Sequence, residues 1–160
     1  TWIILLSQAH VLAHGVAPGD HFKTGLALAL RERWPAMFKD FRHYCHDSTP
    51  KPGSLWAWGG AGGERIVALM TQEPGAPQAS HPGRASVPNV NHALRALRKL
   101  ASEEGFQSIA LPRLATGVGG LDWADVAPLI ETHLGDLDIP IVVYTHYEAG
   151  VTADEGLTPR

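Results

Sequence analysis

The chain has a single cysteine, Cys45, in 160 residues. No internal disulfide can brace it, and a reducing, cytoplasmic setting is the expectation. Long apolar runs are missing too. TWIILL, residues 1–6, falls far short of the roughly twenty residues a membrane helix needs and lacks the basic flank of a signal peptide. Thirteen Lys and Arg against sixteen Asp and Glu leave a formal charge of -3. With no Lys/Arg-dense patch, a generic grip on nucleic acid is not expected. No internal repeat or domain boundary is visible. What remains is 44% hydrophobic and 18% charged, the composition of one globular domain with a full core.

Glycine is plentiful and unevenly placed. The stretch PRLATGVGGLDW, residues 112–123, follows the short apolar run SIAL and precedes WADVAPLIETHL. The latter puts Trp123, Val126, Ile130 and Leu134 on one helical face. Asp122 suits the N-cap and Asp125 the first turn. A glycine loop running into a helix N-terminus offers free backbone N–H groups and the positive end of the helix dipole, both suited to phosphate. A similar unit lies earlier: the apolar residues 9–16, the loop APGDHFKTG, and the helix LALALRERW.

The rest of the chain reads as alternating elements. TWIILL suits a first strand. Pro35 opens a helix in which Met37, Phe38, Phe41, Tyr44 and Cys45 form an apolar stripe. SLWAW and RIVALMTQ, joined by GGAGGE, suggest a hairpin. Residues 73–88 carry four prolines and two glycines and read as a long irregular loop able to close over substrate. A helix spans about 89–104 with Val90, Leu94, Leu97 and Ala101 inward, and Gly105 ends it. IPIVVYTHY is the last strand and residues 149–160 a frayed tail, leaving residues 1–148 as the domain. Strand–helix alternation from Arg65 onward implies parallel strands with helices on both faces, and ligand binding beyond the strands' carboxyl ends.

Other clusters carry less. His43, Cys45 and His46 look like a metal set, but a helix turns Cys45 away from the histidines and no distant pair completes a tetrahedron, so no metal is expected. Trp56 and Trp58 share a strand face and suit packing under a helix. Asp20 and Asp122 could pair for acid–base work, though nothing in the sequence sets their separation.

On HVLAHGV, KTGLALALRERWP, SIALPRLATGVGGLDWADVAPLIE and VVYTHY, the chain resembles a macro domain over about residues 9–147. It is most similar to the branch with terminal ADP-ribose protein glycohydrolases and DNA ADP-ribosyl glycohydrolase antitoxins. The resemblance implies a three-layer α/β/α fold with a mixed, mostly parallel six-stranded sheet and a cleft for ADP-ribose. It implies that Lys23, Thr24 and Gly25 lie in a first ligand loop. Thr116, Gly117, Val118, Gly119 and Gly120 would form a second loop around the phosphates, and Tyr144 would lie near the adenine.

Several family positions differ. The lysine that attacks the distal ribose in those glycohydrolases is matched by Gln72, and an amide forms no Schiff-base-type intermediate. Their loop aspartate is matched by Gly119, and the asparagine of other branches by Ala17. The aspartate that binds the adenine amine has no counterpart in TWIILL. A further branch, which removes phosphate from ADP-ribose-1″-phosphate, carries a histidine matched by His14. His14 is therefore one candidate catalytic residue, and His21, in the ligand loop close to where a distal phosphate would sit, is the second, with Arg84 as a terminal-phosphate contact. The expected activity is hydrolysis of ADP-ribose-1″-phosphate without metal or cofactor. The alternatives are a non-catalytic reader of ADP-ribose or ADP-ribosylated partners, and a lysine-independent glycohydrolase.

Overall fold

The computed structural model describes residues 3–76 and 82–144. After a 3-10 turn (Ile3–Leu6) the chain forms β1 (Val11–Val16), α1 (Gly25–Arg33), α2 (Pro35–Ser48), β2 (Leu55–Gly59) and β3 (Arg65–Met70). There follow α3 (Val87–Glu104), β4 (Ile109–Pro112), α4 (Trp123–Leu134) and β5 (Ile141–Tyr144). The five strands order as β2-β3-β1-β4-β5. Only β2 runs antiparallel, against β3, as the hairpin reading requires.

The residues form these elements for local reasons. In α3, the 3.6-residue spacing buries Val90, Leu94, Leu97 and Ala101 together. The Ser86 side chain accepts the Asn89 N–H at its start, and Gly105 closes its end at φ 66°. In α2, Pro35 opens the helix, and Met37 and Phe41 are fully buried. Trp58 packs from β2 and donates its indole N–H to Asp40 of α2 at 2.9 Å.

The sheet separates two apolar layers. On one side α3 and α4 cover Val11, Ala13, Val67, Leu69, Ile109 and Leu111. On the other, α1 and α2 cover Leu12, Val16, Ile66, Ala68 and Met70. Period-two alternation along β1 and β3 thus feeds both layers, which is why these strands read as continuous apolar runs. The result is the three-layer α/β/α arrangement, with strand ends from β1, β3, β4 and β5 opening on one edge.

One expectation is corrected, and one is met in position alone. Among the described residues TWIILL supplies no sixth strand: Ile3–Leu6 is a 3-10 turn, closed by Ser7 N–H donating to the Ile4 carbonyl at 3.1 Å. Ile4 is buried in the α1–α2 layer, so its apolar character serves packing without strand pairing. Asp122 stands at the α4 N-cap but its side chain makes no capping bond. The tail, residues 149–160, and the end of the last strand beyond Tyr144 lie outside the described residues. No described helix is long and apolar enough to cross a membrane.

Candidate functional site

A cleft of about 580 Å³ opens at the carboxyl edge of the sheet. That volume lies within the range of small-molecule sites. Its walls are the β1–α1 loop and the β4–α4 loop, the two glycine-containing segments that the sequence set apart. Asp20, Thr24 and Gly25 line it from one side; residues 112–119 line it from the other; His14, Gly15, Gln72 and Tyr144 lie between.

Three carbonyls of the β4–α4 loop are engaged by backbone N–H groups. Leu121 N–H donates to the Ala115 carbonyl at 2.9 Å, Gly120 N–H to Gly117 at 3.0 Å, and Ala85 N–H to Gly119 at 2.9 Å. The N–H groups of Thr116, Gly117, Val118 and Gly119 donate to no acceptor among the described residues. Four open amides beside three occupied carbonyls make an anion-binding concavity. A Cβ at Gly117 would meet nothing within 4 Å, so the space before this loop is cleft. A Cβ at Gly119 would lie 2.6 Å from the Ala115 carbonyl oxygen.

The β1–α1 loop is held from beneath. Phe22 is fully buried at φ 51° against Phe38, Phe41 and His14. The Asp20 carboxylate accepts the Phe22 N–H at 2.8 Å and the Ala17 N–H at 3.3 Å. Arg42 donates to the Gly19 carbonyl, and Gly19 N–H points at Cys45 Sγ, 3.4 Å away. Burial raises the Asp20 carboxyl above its ordinary range, against the lowering effect of those two amides. Cys45 is likewise pushed up by burial and is a packing and loop contact.

The predicted residues separate on this geometry. Thr24, Gly25, Thr116, Gly117, Val118, Gly119 and Tyr144 line the cleft. Lys23 is exposed outside the lining, and Gly120 sits just behind it. His21 is exposed and also outside the lining; Arg42 and, next, desolvation hold its pKa down. Arg84 lies against Gly120, its guanidinium 3.5 Å from that carbonyl. His14 forms part of the cleft floor, but both ring nitrogens are sealed from the surface and without a partner among the described residues. Burial lowers its pKa to about 3, so the ring is neutral at pH 7. Asp122 is exposed away from the cleft, and no pair with Asp20 forms. His43 and His46 sit on the outer face of α2 beside Asp47.

The sequence undervalued Asp20 and Arg113. Asp20 lines the cleft, and its carboxylate is tied to two amides. Arg113 lines the cleft at the end of β4, its guanidinium 5.3 Å over the Trp123 ring. The Asx-turn spacing from Asp20 to Phe22 was the available signal for the first; nothing local marked the second.

Known proteins share this arrangement. The macrodomain of Mycobacterium tuberculosis DarG superposes with a TM-score of 0.78 at 24% identity, covering 88% of this chain and 91% of that one. Thermosipho africanus DarTG, solved in complex with ADP-ribose, gives 0.78 at 21% identity, over 93% of this chain and 41% of that one. In sequence, 76 residues are 33% identical to the DNA ADP-ribosyl transferase-DNA ADP-ribosyl glycohydrolase fusion protein of Thermosipho africanus. That match covers 48% of this chain and 19% of the relative. A match to human ADP-ribose glycohydrolase OARD1 is 30% identical over 83 residues, 52% of this chain and 51% of the relative. The chain thus spans about half or less of the curated relatives' length. The macro domain family itself matches residues 19–130, and with both ligand loops inside or beside that span, the chain belongs to the macro domain family.

Proposed function

We propose that the cleft binds ADP-ribose and hydrolyses a derivative of it, with ADP-ribose-1″-phosphate as the substrate. Macro domains bind ADP-ribose, and the observation that carries the reading here is the row of four open amides at residues 116–119. They suit the diphosphate, while Tyr144 and Ile4 offer an apolar end for the base. The substrate's phosphomonoester needs a water delivered in line and a group to take its proton. With the His14 nitrogens sealed, Asp20 is the better-placed acceptor, because it lines the cleft and burial raises its pKa. Water adds to phosphorus, the P–O1″ bond breaks, Asp20 takes the attacking water's proton, and the departing sugar oxygen takes a proton from solvent water. Oriented N–H groups stabilise the charge that develops, with no metal step required. The single cysteine supports a cytoplasmic setting.

A second reading is glycohydrolysis of ADP-ribosylated macromolecules, favoured by the named activities of the two curated relatives. Gln72 excludes the lysine route for it. A reader without turnover is the third, favoured by the same amide.

Isothermal titration is the direct test. ADP-ribose will bind, and Gly117→Val will abolish that binding while leaving the melting temperature within a few degrees, since its Cβ meets open space. Retained affinity in that variant would remove the cleft from consideration. Asp20→Asn will lower phosphate release from ADP-ribose-1″-phosphate by about 100-fold, the usual worth of a general base, with ADP-ribose affinity changed only a few-fold. Full turnover in Asp20→Asn would discard the assigned base; release of ADP-ribose from modified DNA or protein, and none from the phosphate ester, would select the second reading.

A further inference from the structure

Gln72 leaves β3 at the cleft wall, 6% exposed. Its side-chain Nε2 donates to the Gly83 carbonyl at 3.0 Å, and its backbone N–H donates to Val16 at 3.2 Å. A carbonyl can only accept, so the amide orientation follows from that partner. Around this bond the two ends of the β3–α3 connection are laced together. Gly83 N–H donates to Glu73 at 2.9 Å, and Glu73 N–H to Arg84 at 2.9 Å. Gln72 and Ala85 form an antiparallel bridge. Ala85 then donates its N–H to the Gly119 carbonyl, and Asn89 reaches the Glu73 carboxylate at 3.3 Å.

The consequence falls on the anion loop. Within the turn Leu121 and Gly120 satisfy the Ala115 and Gly117 carbonyls, whereas the Gly119 carbonyl is taken from outside it, by Ala85. If Ala85 moved, that carbonyl would be free to rotate toward the cleft, placing a negative dipole end beside the open amides. A bound phosphate would then meet a further repulsive dipole beside the open amides.

We infer that Gln72 is a positioning residue for the anion loop: through Gly83 it fixes Ala85, and through Ala85 it keeps the Gly119 carbonyl out of the cleft. The inference rests on the reading of this cleft as the ADP-ribose site, but its structural half stands apart from it. Gln72 thus serves in place by donating sideways to the β3–α3 connection, and its own side chain needs no contact with the reacting atoms.

The test uses Gln72→Met, which keeps length and apolar bulk while removing the donor. Hydrogen exchange by mass spectrometry will show faster exchange at Gly120 and Leu121, whose N–H groups are bonded within the loop, and across residues 83–86. Exchange in β1, β4 and α3 beyond its first turn will stay unchanged. ADP-ribose affinity will fall about tenfold, and Gln72→Leu, which likewise cannot donate, will behave the same way. Unchanged exchange at Gly120, Leu121 and Ala85 in both variants overturns the inference whatever happens to affinity. Faster exchange with unchanged affinity overturns its link to the ligand. If the unaltered protein binds no ADP-ribose, the proposed function fails, and the exchange result still decides whether Gln72 holds the loop.

Discussion

Replacing Gly119 by aspartate will weaken ADP-ribose binding by 100-fold or more and will lower the melting temperature, even though it restores a carboxylate that related glycohydrolases carry. The Cβ of any residue here would lie 2.6 Å from the Ala115 oxygen and 2.9 Å from its carbonyl carbon and Cα. All three are backbone atoms, so no rotamer change relieves the contact and the turn must open. Opening it releases the Leu121-to-Ala115 and Gly120-to-Gly117 bonds that keep those carbonyls away from the cleft. Overpacking of this kind costs about 1–3 kcal/mol, and the lost amide array adds to it; 100-fold in affinity corresponds to about 2.7 kcal/mol. Gly119→Ala will lose nearly as much, which separates the steric cause from the charge. Titration calorimetry and thermal melts of both variants check this. Wild-type affinity in Gly119→Ala would show that the loop is not held by this contact. By the same geometry, the double variant Gln72→Lys/Gly119→Asp will not acquire a lysine-based glycohydrolase activity.

Acidification will destabilise the protein through His14, and His14→Leu will remove that sensitivity. In the fold its pKa is about 3, because burial under Phe22 and within β1 denies water to the charged ring; unfolded, it returns to about 6.5. The folded value is the lower one, so between these pH values the unfolded chain takes up a proton that the native state refuses. Stability contributed by this residue is therefore complete above pH 6.5 and is lost as pH falls, by about 1.4 kcal/mol per unit, levelling near pH 3. From pH 7 to pH 5 the loss is about 2 kcal/mol. Asp20 works in the opposite direction, since its raised pKa favours the fold as it protonates; both proteins share that contribution, so it cancels in their difference. Urea unfolding at pH 7 and 5 measures the difference directly. Equal acid losses in the two proteins would mean that His14 titrates normally. The same neutrality explains why a histidine on a cleft floor adds no cationic grip on phosphate.

Local order was legible in the sequence wherever one residue's neighbours along the chain decide its state. The α3 stripe of Val90, Leu94, Leu97 and Ala101, its Gly105 stop, the β2–β3 hairpin and the two glycine loops all rest on short-range spacing or on backbone freedom. The family resemblance then supplied the fold and the place of the cleft. TWIILL shows the limit: a short apolar run satisfies a strand, a turn or a buried helix equally well, and only the room left between α1, α2 and the sheet made Ile3–Leu6 a 3-10 turn.

Which side chains reach the cleft was decided by tertiary structure alone. His21 turns outward because the next residue, Phe22, is driven into the core, and that same reversal turns Asp20 inward. Arg84 is drawn to Gly120, and Gln72 to Gly83, by partners eleven or more residues away along the chain. His14 is neutral because of what covers it, which no pattern around position 14 records. The sequence determined where the backbone would offer amides; the packing of distant segments determined which charges and carbonyls would stand beside them, because burial and hydrogen-bond competition are properties of the assembled chain.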